Sequence, residues 1–552
     1  MRARLDRRTF LRYSASVGVA ASVAQLAAAC TTEAVGEVPA GTPSAGPFRW
    51  LEASIADMQA AMTAGETTAV QLVRDHIDRI ERLDWNGPRV NSVIETNPDA
   101  ESIAADLDRE RAEGHVRGPL HGIPIMVKDA VATKDRMQTT AGSLALLGSI
   151  VPRDAGVVVK LREAGAIVLG KNNMSEWNAF RGWPLHGGWS ARAGMGLNPY
   201  ALGFSTGDSS SGSAAAVAAS FAAGAIGLET YGSIVMPSSL CGIVGLKPTL
   251  GLIGRSGSIG ISFSRDVLGP MARTVSDVAS ILSAIVGVDP HDDLTAASAQ
   301  HVDRDYTRFL DADGLRGARI GIWRRNDLWK ERATAKVVDA AIEVMRESGA
   351  EIVDDIELPQ WLEATGEHIG VMFSEFTPRI DRYLAGLSNA SVRTLADVVA
   401  FNEEHADEEL RWHNQGTLES ALSDGDLTGT AGYRKSLRRS ADLGRRAFDL
   451  PMREHGLDAI FSPTFRRPWL INMLDADDPM NGNGAAGPSN AAGYPHITVP
   501  AGYADELPIG ASFMARAWEE PKLLRYAYAF EQANPVRHAP RFLPNDVFVE
   551  RT

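Results

Sequence analysis

Hydrophobic positions along the chain fall into two kinds of pattern. Ala69, Leu72, Val73, His76, Ile77, Ile80 and Leu83 recur at helical spacing. Thr68, with Gln71 three residues later, is a capping-box signature at the start of that helix. Residues 123–127 are instead a continuous apolar run, as expected of a strand buried on both faces. Asp154 is placed to cap a helix carrying Val157, Val158 and Leu161, Gly165 ends it, and 166–169 reads as the next strand. Strand, helix and strand in succession predict a mostly parallel sheet covered by helices. The same alternation continues: a helix of small residues over 214–223, a short strand at 225–228, a strand at 319–323, a helix over 333–348 and a strand at 351–353. Residues 359–455 read as helical and charged, and short strands return at 458–461 and 496–499. No repeat of fixed period is present.

The N-terminus belongs to neither pattern. Arg2, Arg4, Arg7, Arg8 and Arg12 stand against Asp6 alone, and an uncharged Ala/Val/Ser stretch follows over 13–29. This is a charged region followed by an apolar one, so 1–30 reads as an export signal rather than a fold element. The run around Arg7 and Arg8 resembles a twin-arginine signal, which places the mature protein in the periplasm or cell envelope. Cys30 closes a stretch similar to a lipoprotein box, with Ala27 where Leu is usual; cleavage near Ala29 is the alternative. A lipid on Cys30 is the one membrane attachment the sequence offers, since no other stretch reaches the roughly 18 apolar residues of a span. Residues 31–47, rich in Thr, Gly, Pro and Ala, read as a tether, and 48–552 as the globular part. If Cys30 is lipidated or removed, Cys241 has no partner, so the fold needs no internal disulfide. The 552 residues are 44% hydrophobic and 22% charged, an ordinary globular composition, and the net charge of −14 argues against a nucleic-acid partner.

Candidate chemistry concentrates in two serine-bearing loops. The first runs from Ser205 through Gly207, Asp208, Ser209, Ser210, Ser211 and Gly212 into the small-residue helix; the second is Glu229-Thr230-Tyr231-Gly232-Ser233-Ile234. A serine hydroxyl is a weak nucleophile that needs an adjacent base, and no Gly-x-Ser-x-Gly pattern signals a histidine triad. Lys128 ends the apolar run at 123–127, and burial there disfavours its charged form. Ser209 is then a bridge, accepting a proton from Ser233 and donating one to Lys128. Backbone N–H groups of Thr230, Tyr231, Gly232 and Ser233 are candidates for an oxyanion hole. A Ser/Gly run is also an ordinary linker or turn, a lysine at a strand end is also an ordinary surface charge, and a Gly/Ser loop before an Ala-rich helix also resembles the phosphate loop of small-molecule kinases.

Spacing separates these readings. Lys128 precedes Ser209 by 81 residues and Ser233 follows it by 24. Those intervals resemble the amidase signature family, serine hydrolases that work through a Ser–cisSer–Lys set. Segments 170–177, 241–249, 269–275, 490–495 and 500–502 are also similar to family segments, and the resemblance extends over roughly 55–537. It implies an α/β amidase signature fold, a twisted mixed sheet of about ten strands with helices on both faces. It also implies hydrolysis of a carboxamide through an acyl-enzyme, with Lys128, Ser209 and Ser233 catalytic and no cofactor or metal. Segments 209–212, 234–237 and 400–407 are most similar to secreted bacterial peptide amidases, which implies a peptide or small-molecule amide as substrate. Tyr231 departs from the pattern: most members have Gly there, and the peptide amidase group has Asp. Its side chain is expected near the acyl pocket, which bears on substrate preference more than on reaction type.

Other candidates are weaker. His121 is expected to be packed or at the surface. Glu404, His405, Glu408 and Glu409 have helical spacing that imitates a metal site, but a solvated helix face is the expectation. Trp177, Trp183 and Trp189 are either core or the lining of a substrate channel beside His186 and Arg192; Trp183 and Tyr231 are the substrate-contact candidates. The rival functions are the same chemistry on carbamates, esters or aryl amides, the A-type chain of an amidotransferase that amidates misacylated tRNA, and a binding protein on an inactive amidase scaffold. The export signal argues against the second and the complete Lys128, Ser209, Ser233 set against the third.

Overall fold

A computed structural model describes residues 48–182, 186–473 and 484–545. The export segment 1–30 with Cys30, the tether 31–47 and Trp183 lie outside the described residues. The strands, in chain order, are β1 (Val93–Thr96), β2 (Pro124–Lys128), β3 (Ile167–Asn172), β4 (Trp189–Ser190), β5 (Gly194–Met195), β6 (Gly224–Glu229), β7 (Val244–Lys247), β8 (Val267–Ala272), β9 (Arg319–Ile322), β10 (Glu351–Val353), β11 (Ala459–Pro463), β12 (His496–Ala504) and β13 (Leu507–Met514). Eleven of them form one sheet in the order β1-β3-β2-β6-β8-β7-β12-β13-β11-β9-β10, and β4 and β5 pair with each other apart from it. Helices flank the sheet, as the α/β reading expects.

The sheet is mixed rather than mostly parallel. Only β2–β3, β2–β6, β9–β11 and β9–β10 run parallel, while the middle of the sheet, from β6 through β8, β7 and β12 to β13 and on to β11, is antiparallel. Two of the parallel pairs, β2–β3 and β9–β10, are joined by strand–helix–strand runs legible in the sequence. The antiparallel centre includes a tight hairpin between β12 and β13, where Asp505 and Glu506 both take positive φ (50° and 68°), the geometry that turns a two-residue loop with the twist of its strands.

Local signals hold unevenly. Thr68 accepts from Gln71 N at 3.1 Å, but the Gln71 side chain donates to Asp75 instead of returning to the cap. The expected cap at Asp154 is not made. The helix Gly156–Glu163 starts after Ala155 with no side-chain cap, because Asp154 accepts from Lys134 N and pairs with Arg162. The region 359–455 is helical as expected, with long helices Trp361–Ala385 and Ala431–Glu454 packed on each other and on the short helix Ala486–Ala492.

Two features of this architecture position the serine loops. Strands β2 and β6 are parallel neighbours, so their C-terminal ends share one edge of the sheet, with Lys128 at the end of the first and Glu229 at the end of the second. The helix Ser211–Ala218, with all eight residues buried, lies tightly against the chain at Ser92 and Asn173. Gly212 N donates to Asn173 O at 3.0 Å, and a Cβ at Gly212 would stand 2.3 Å from that oxygen and 2.6 Å from Ser92 O. Alanine inside a helix ordinarily gains about 1 kcal/mol over glycine; here the backbone contacts reverse the sign. Gly212→Ala is expected to lower stability by about 2 kcal/mol or more, seen as a lower urea midpoint at unchanged slope.

Candidate active site

Lys128 is fully buried, and its Nζ lies 2.7 Å from Ser209 Oγ. The amine also donates to the Leu228 carbonyl at 3.3 Å, which holds the side chain along the end of β6. Burial pulls its pKa down from the usual 10.5 to about 7, against the opposing fields of Asp208, Asp266 and Glu229. The amine is therefore largely uncharged just above neutral pH, although three carboxylates surround it.

Ser209 is fixed by its backbone. The Asp208–Ser209 peptide bond is cis. The Ser209 carbonyl accepts from Ser175 N at 3.1 Å, the next residue, Ser210, donates its N–H to the Ser233 carbonyl at 3.1 Å, and Ser210 Oγ donates to Leu228 O at 3.1 Å. These bonds stitch the first loop, the end of β6 and the second loop together. Lys128, Ser209 and Ser233 thus share one buried corner, with Ser233 slightly open at 7% exposure.

The second loop is curled around Glu229. One carboxylate oxygen accepts from Ile234 N at 2.8 Å and Val235 N at 3.1 Å, and the other accepts from Asn490 Nδ2 at 2.8 Å. The amides of 234 and 235 are thereby taken, which leaves the stretch from Thr230 to Ser233 as the part of the loop that can face a developing negative charge. Thr230 is held from two sides. Its hydroxyl donates to Asp266 Oδ1 at 2.7 Å, and its carbonyl accepts from His368 Nε2 at 2.9 Å. Burial, with the Arg265 charge adding to it, lowers the His368 pKa to about 3, so the ring is neutral; because its partner is a carbonyl, Nε2 carries the proton. Burial pushes the Asp266 carboxyl up from its ordinary range, opposed mainly by Arg379, which stands 3.6 Å away.

Tyr231 is half-buried between fully buried neighbours. Its ring lies 5.9 Å from the His368 ring, and a Cβ built on Gly487 would come within 3.6 Å of it and within 2.7 Å of Thr365 Oγ1. The tyrosine, the helix Trp361–Ala385 and the start of the helix Ala486–Ala492 therefore meet beside Ser233. Glu229 was legible as a member of the second loop but not as the acceptor that curls it, and Asp266, His368 and Asn490 escaped sequence reasoning as parts of this site. Asn490 carried a signal through the family-like segment 490–495; the partners of Asp266 and His368 lie too far along the chain for local pattern to reveal.

The remaining candidates resolve structurally. His121 is buried, with Nε2 at 2.9 Å from Leu107 O. Trp177 and Trp189 are both buried, and Arg181 stacks over Trp189 at 5.1 Å. Arg192 is paired with Glu95 at 2.7 Å. The solvated-face expectation fails for Glu409. Glu404 and Glu408 are exposed, but Glu409 is fully buried, paired with Arg181 at 3.2 Å and accepting from Leu144 N at 2.9 Å, because the chain breaks into a separate short helix Ala406–Glu409 that turns it inward. His405 stacks on Phe401 at 4.0 Å instead of facing the carboxylates. Cys241 is a buried free thiol.

The chain matches the Amidase family model over residues 71–524. It is 39% identical over 510 residues to a probable amidase of Arabidopsis thaliana, covering 90% of this chain and 93% of that one. It is 34% identical to the A-type chain of the glutamyl-tRNA(Gln) amidotransferase of Exiguobacterium sibiricum, covering 88% and 98%. Among solved structures, the native peptide amidase of Stenotrophomonas maltophilia superposes with a TM-score of 0.85 at 44% identity, covering 90% of this chain and all of that one. A buried lysine bonded to a serine at the end of a parallel strand, in a chain matched along nearly its whole globular length, is the arrangement of an amide-hydrolysing enzyme, and this chain belongs to the amidase signature family.

Proposed function

We propose that the protein hydrolyses carboxamides by covalent catalysis, with Ser233 as nucleophile, Ser209 as proton relay and Lys128 as base. The observation that carries this reading is the 2.7 Å contact between a fully buried Lys128 amine and Ser209. Neutral Lys128 takes the Ser209 proton as Ser209 takes the Ser233 proton, and Ser233 Oγ adds to the carbonyl carbon. Backbone N–H groups of Thr230, Tyr231, Gly232 and Ser233 stabilise the oxyanion. Collapse breaks the C–N bond, with Ser209 passing a proton to the leaving nitrogen and taking back the proton that Lys128 holds, so that Lys128 is neutral again. A water, deprotonated through the same relay, then releases the acid and restores Ser233.

The pH dependence follows from the sign of the lysine shift. Below its lowered pKa the amine holds a proton and cannot accept another; above it the base is ready. The acid limb of kcat/KM is expected to have its midpoint near pH 7, instead of near 10.5 as for an exposed lysine. Lys128→Ala is expected to lose at least about 100-fold in kcat at pH 8, with partial recovery at higher pH as hydroxide substitutes for the base. Activity within a few-fold of the parent in a folded Lys128→Ala protein would refute the mechanism.

For the substrate, we infer a peptide or small-molecule amide, supported by the similarity to a peptide amidase and by the enclosed corner formed by Tyr231, Thr365 and His368. Tyr231 narrows the acyl side, so Tyr231→Gly is expected to raise kcat/KM for amides with bulky C-terminal residues relative to small ones by roughly 10-fold. Unchanged ratios across a panel of amide-capped peptides, aryl amides and carbamates would remove Tyr231 from the specificity wall. The similarity to the amidotransferase chain supports a second reading, action on a tRNA-linked substrate; turnover of free amides by the purified chain alone separates the two.

The basic pair Arg7 and Arg8 ahead of an apolar stretch supports export to the periplasm or cell envelope. Replacing both with Lys is expected to leave the full-length chain in the cytosol, visible on fractionation; unaltered export would reject the twin-arginine assignment.

A further inference from the structure

A second cavity lies behind the Asp266 side of the site. It encloses about 440 Å³, in the range of small-ligand pockets, between the loop 255–263, the turn 291–294, residues 151–153 and the C-terminal half of the helix Trp361–Ala385. Four arginines line it: Arg153, Arg255, Arg379 and Arg382. Two acidic residues line it, Asp292 and Asp293. Asp292 is already committed to Arg255, through contacts of 2.7 and 2.8 Å.

The other cations are only loosely answered. Among the described residues, no carboxylate lies within ion-pair distance of Arg153 or Arg382; Arg153 reaches only Ser256 Oγ at 3.2 Å, and Arg382 stacks on the Phe263 ring at 4.4 Å. Arg379 meets Asp266 at 3.6 Å, longer than a hydrogen bond, and donates to Ser258 O at 2.8 Å and Ser258 Oγ at 3.2 Å, while its Nε is buried with no hydrogen-bond partner. The cost of burying a guanidinium without full hydrogen bonding falls on Arg379 alone, since Arg382 is exposed and Arg153 half-buried. The rest of the wall is apolar: Val151, Pro152, Phe263, Leu294 and Leu387. Planar, bidentate guanidinium groups beside an aromatic face suit a carboxylate carried on an apolar body.

We propose that this cavity is a binding site for a small organic carboxylate with an aromatic or branched apolar group, separate from the amide-hydrolysing corner. Arg379 and Arg382 face the carboxylate and Phe263 the apolar part. The site stands one side chain behind the Thr230 loop, since Arg379 pairs with Asp266 and Asp266 accepts from Thr230.

The test is calorimetric titration of the full chain with benzoate and, separately, with inorganic phosphate, at constant ionic strength. Saturable benzoate binding is expected, unaltered after Ser233 is blocked with a fluorophosphonate and weakened at least about 10-fold in Arg382→Gln. The Arg153→Gln variant, at the rim, serves as a second measurement should Arg382→Gln fold poorly, and the same weakening is expected of it. Loss of binding on blocking Ser233 would place the carboxylate in the amide-hydrolysing corner and overturn the proposal. Phosphate binding as tight as benzoate would make the cavity a bare charge trap, and the absence of saturable benzoate binding would likewise overturn the assignment.

Discussion

The site depends on keeping one amine dry. Lys128 is fully buried at the end of β2, and the lost hydration outweighs the pull of three nearby carboxylates, bringing its pKa to about 7. In the proposed mechanism the other groups depend on this: with a charged lysine, Ser209 would have no base to relay to and Ser233 would stay a plain hydroxyl. The sheet provides the dryness: β2 is covered on both faces, β3 and β6 pair with its edges, and the small-residue helix Ser211–Ala218 seals the loop that carries Ser209. Small side chains there are a packing requirement, since even a methyl group at Gly212 collides with backbone.

A second constraint fixes the other half of the chemistry. The loop after β6 does not rely on its own sequence alone for shape. Glu229 gathers two amides and Asn490 at its centre, and Asp266 and His368 hold Thr230 from opposite sides. Beyond its own Glu229, the loop draws on three distant parts of the fold, at 266, 368 and 490. Such convergence suits an oxyanion site, whose donors must be in place before charge develops.

This division explains what the sequence disclosed. The lysine, the two serines and the order of family-like segments lie in short contiguous runs, and they were legible. So were the buried strands β2, β3 and β6, because a strand covered on both faces is continuously apolar. The antiparallel strands β7, β8 and β13 were not, since each is interrupted by Gly or Pro, and strand direction depends on partners rather than on composition. Glu409 and Asp154 failed for a related reason. Helical spacing and cap chemistry are local arguments: Glu409 is taken by Arg181, far along the chain, and Asp154 by the Lys134 amide together with Arg162. Asp266 and His368 were invisible because their partner Thr230 lies far along the chain.

The anchoring of Thr230 couples two properties that enzymes usually adjust separately. His368 belongs to the same helix as Thr365 and two arginines of the second cavity, Arg379 and Arg382, so that helix both shapes the space beside Tyr231 and steadies the loop beside Ser233. Remodelling it for a new acyl group therefore shifts the electrostatic scaffold as well. Diversification toward new amides is easier at position 231, where a side chain can change while the backbone stays tied down, than along the helix itself.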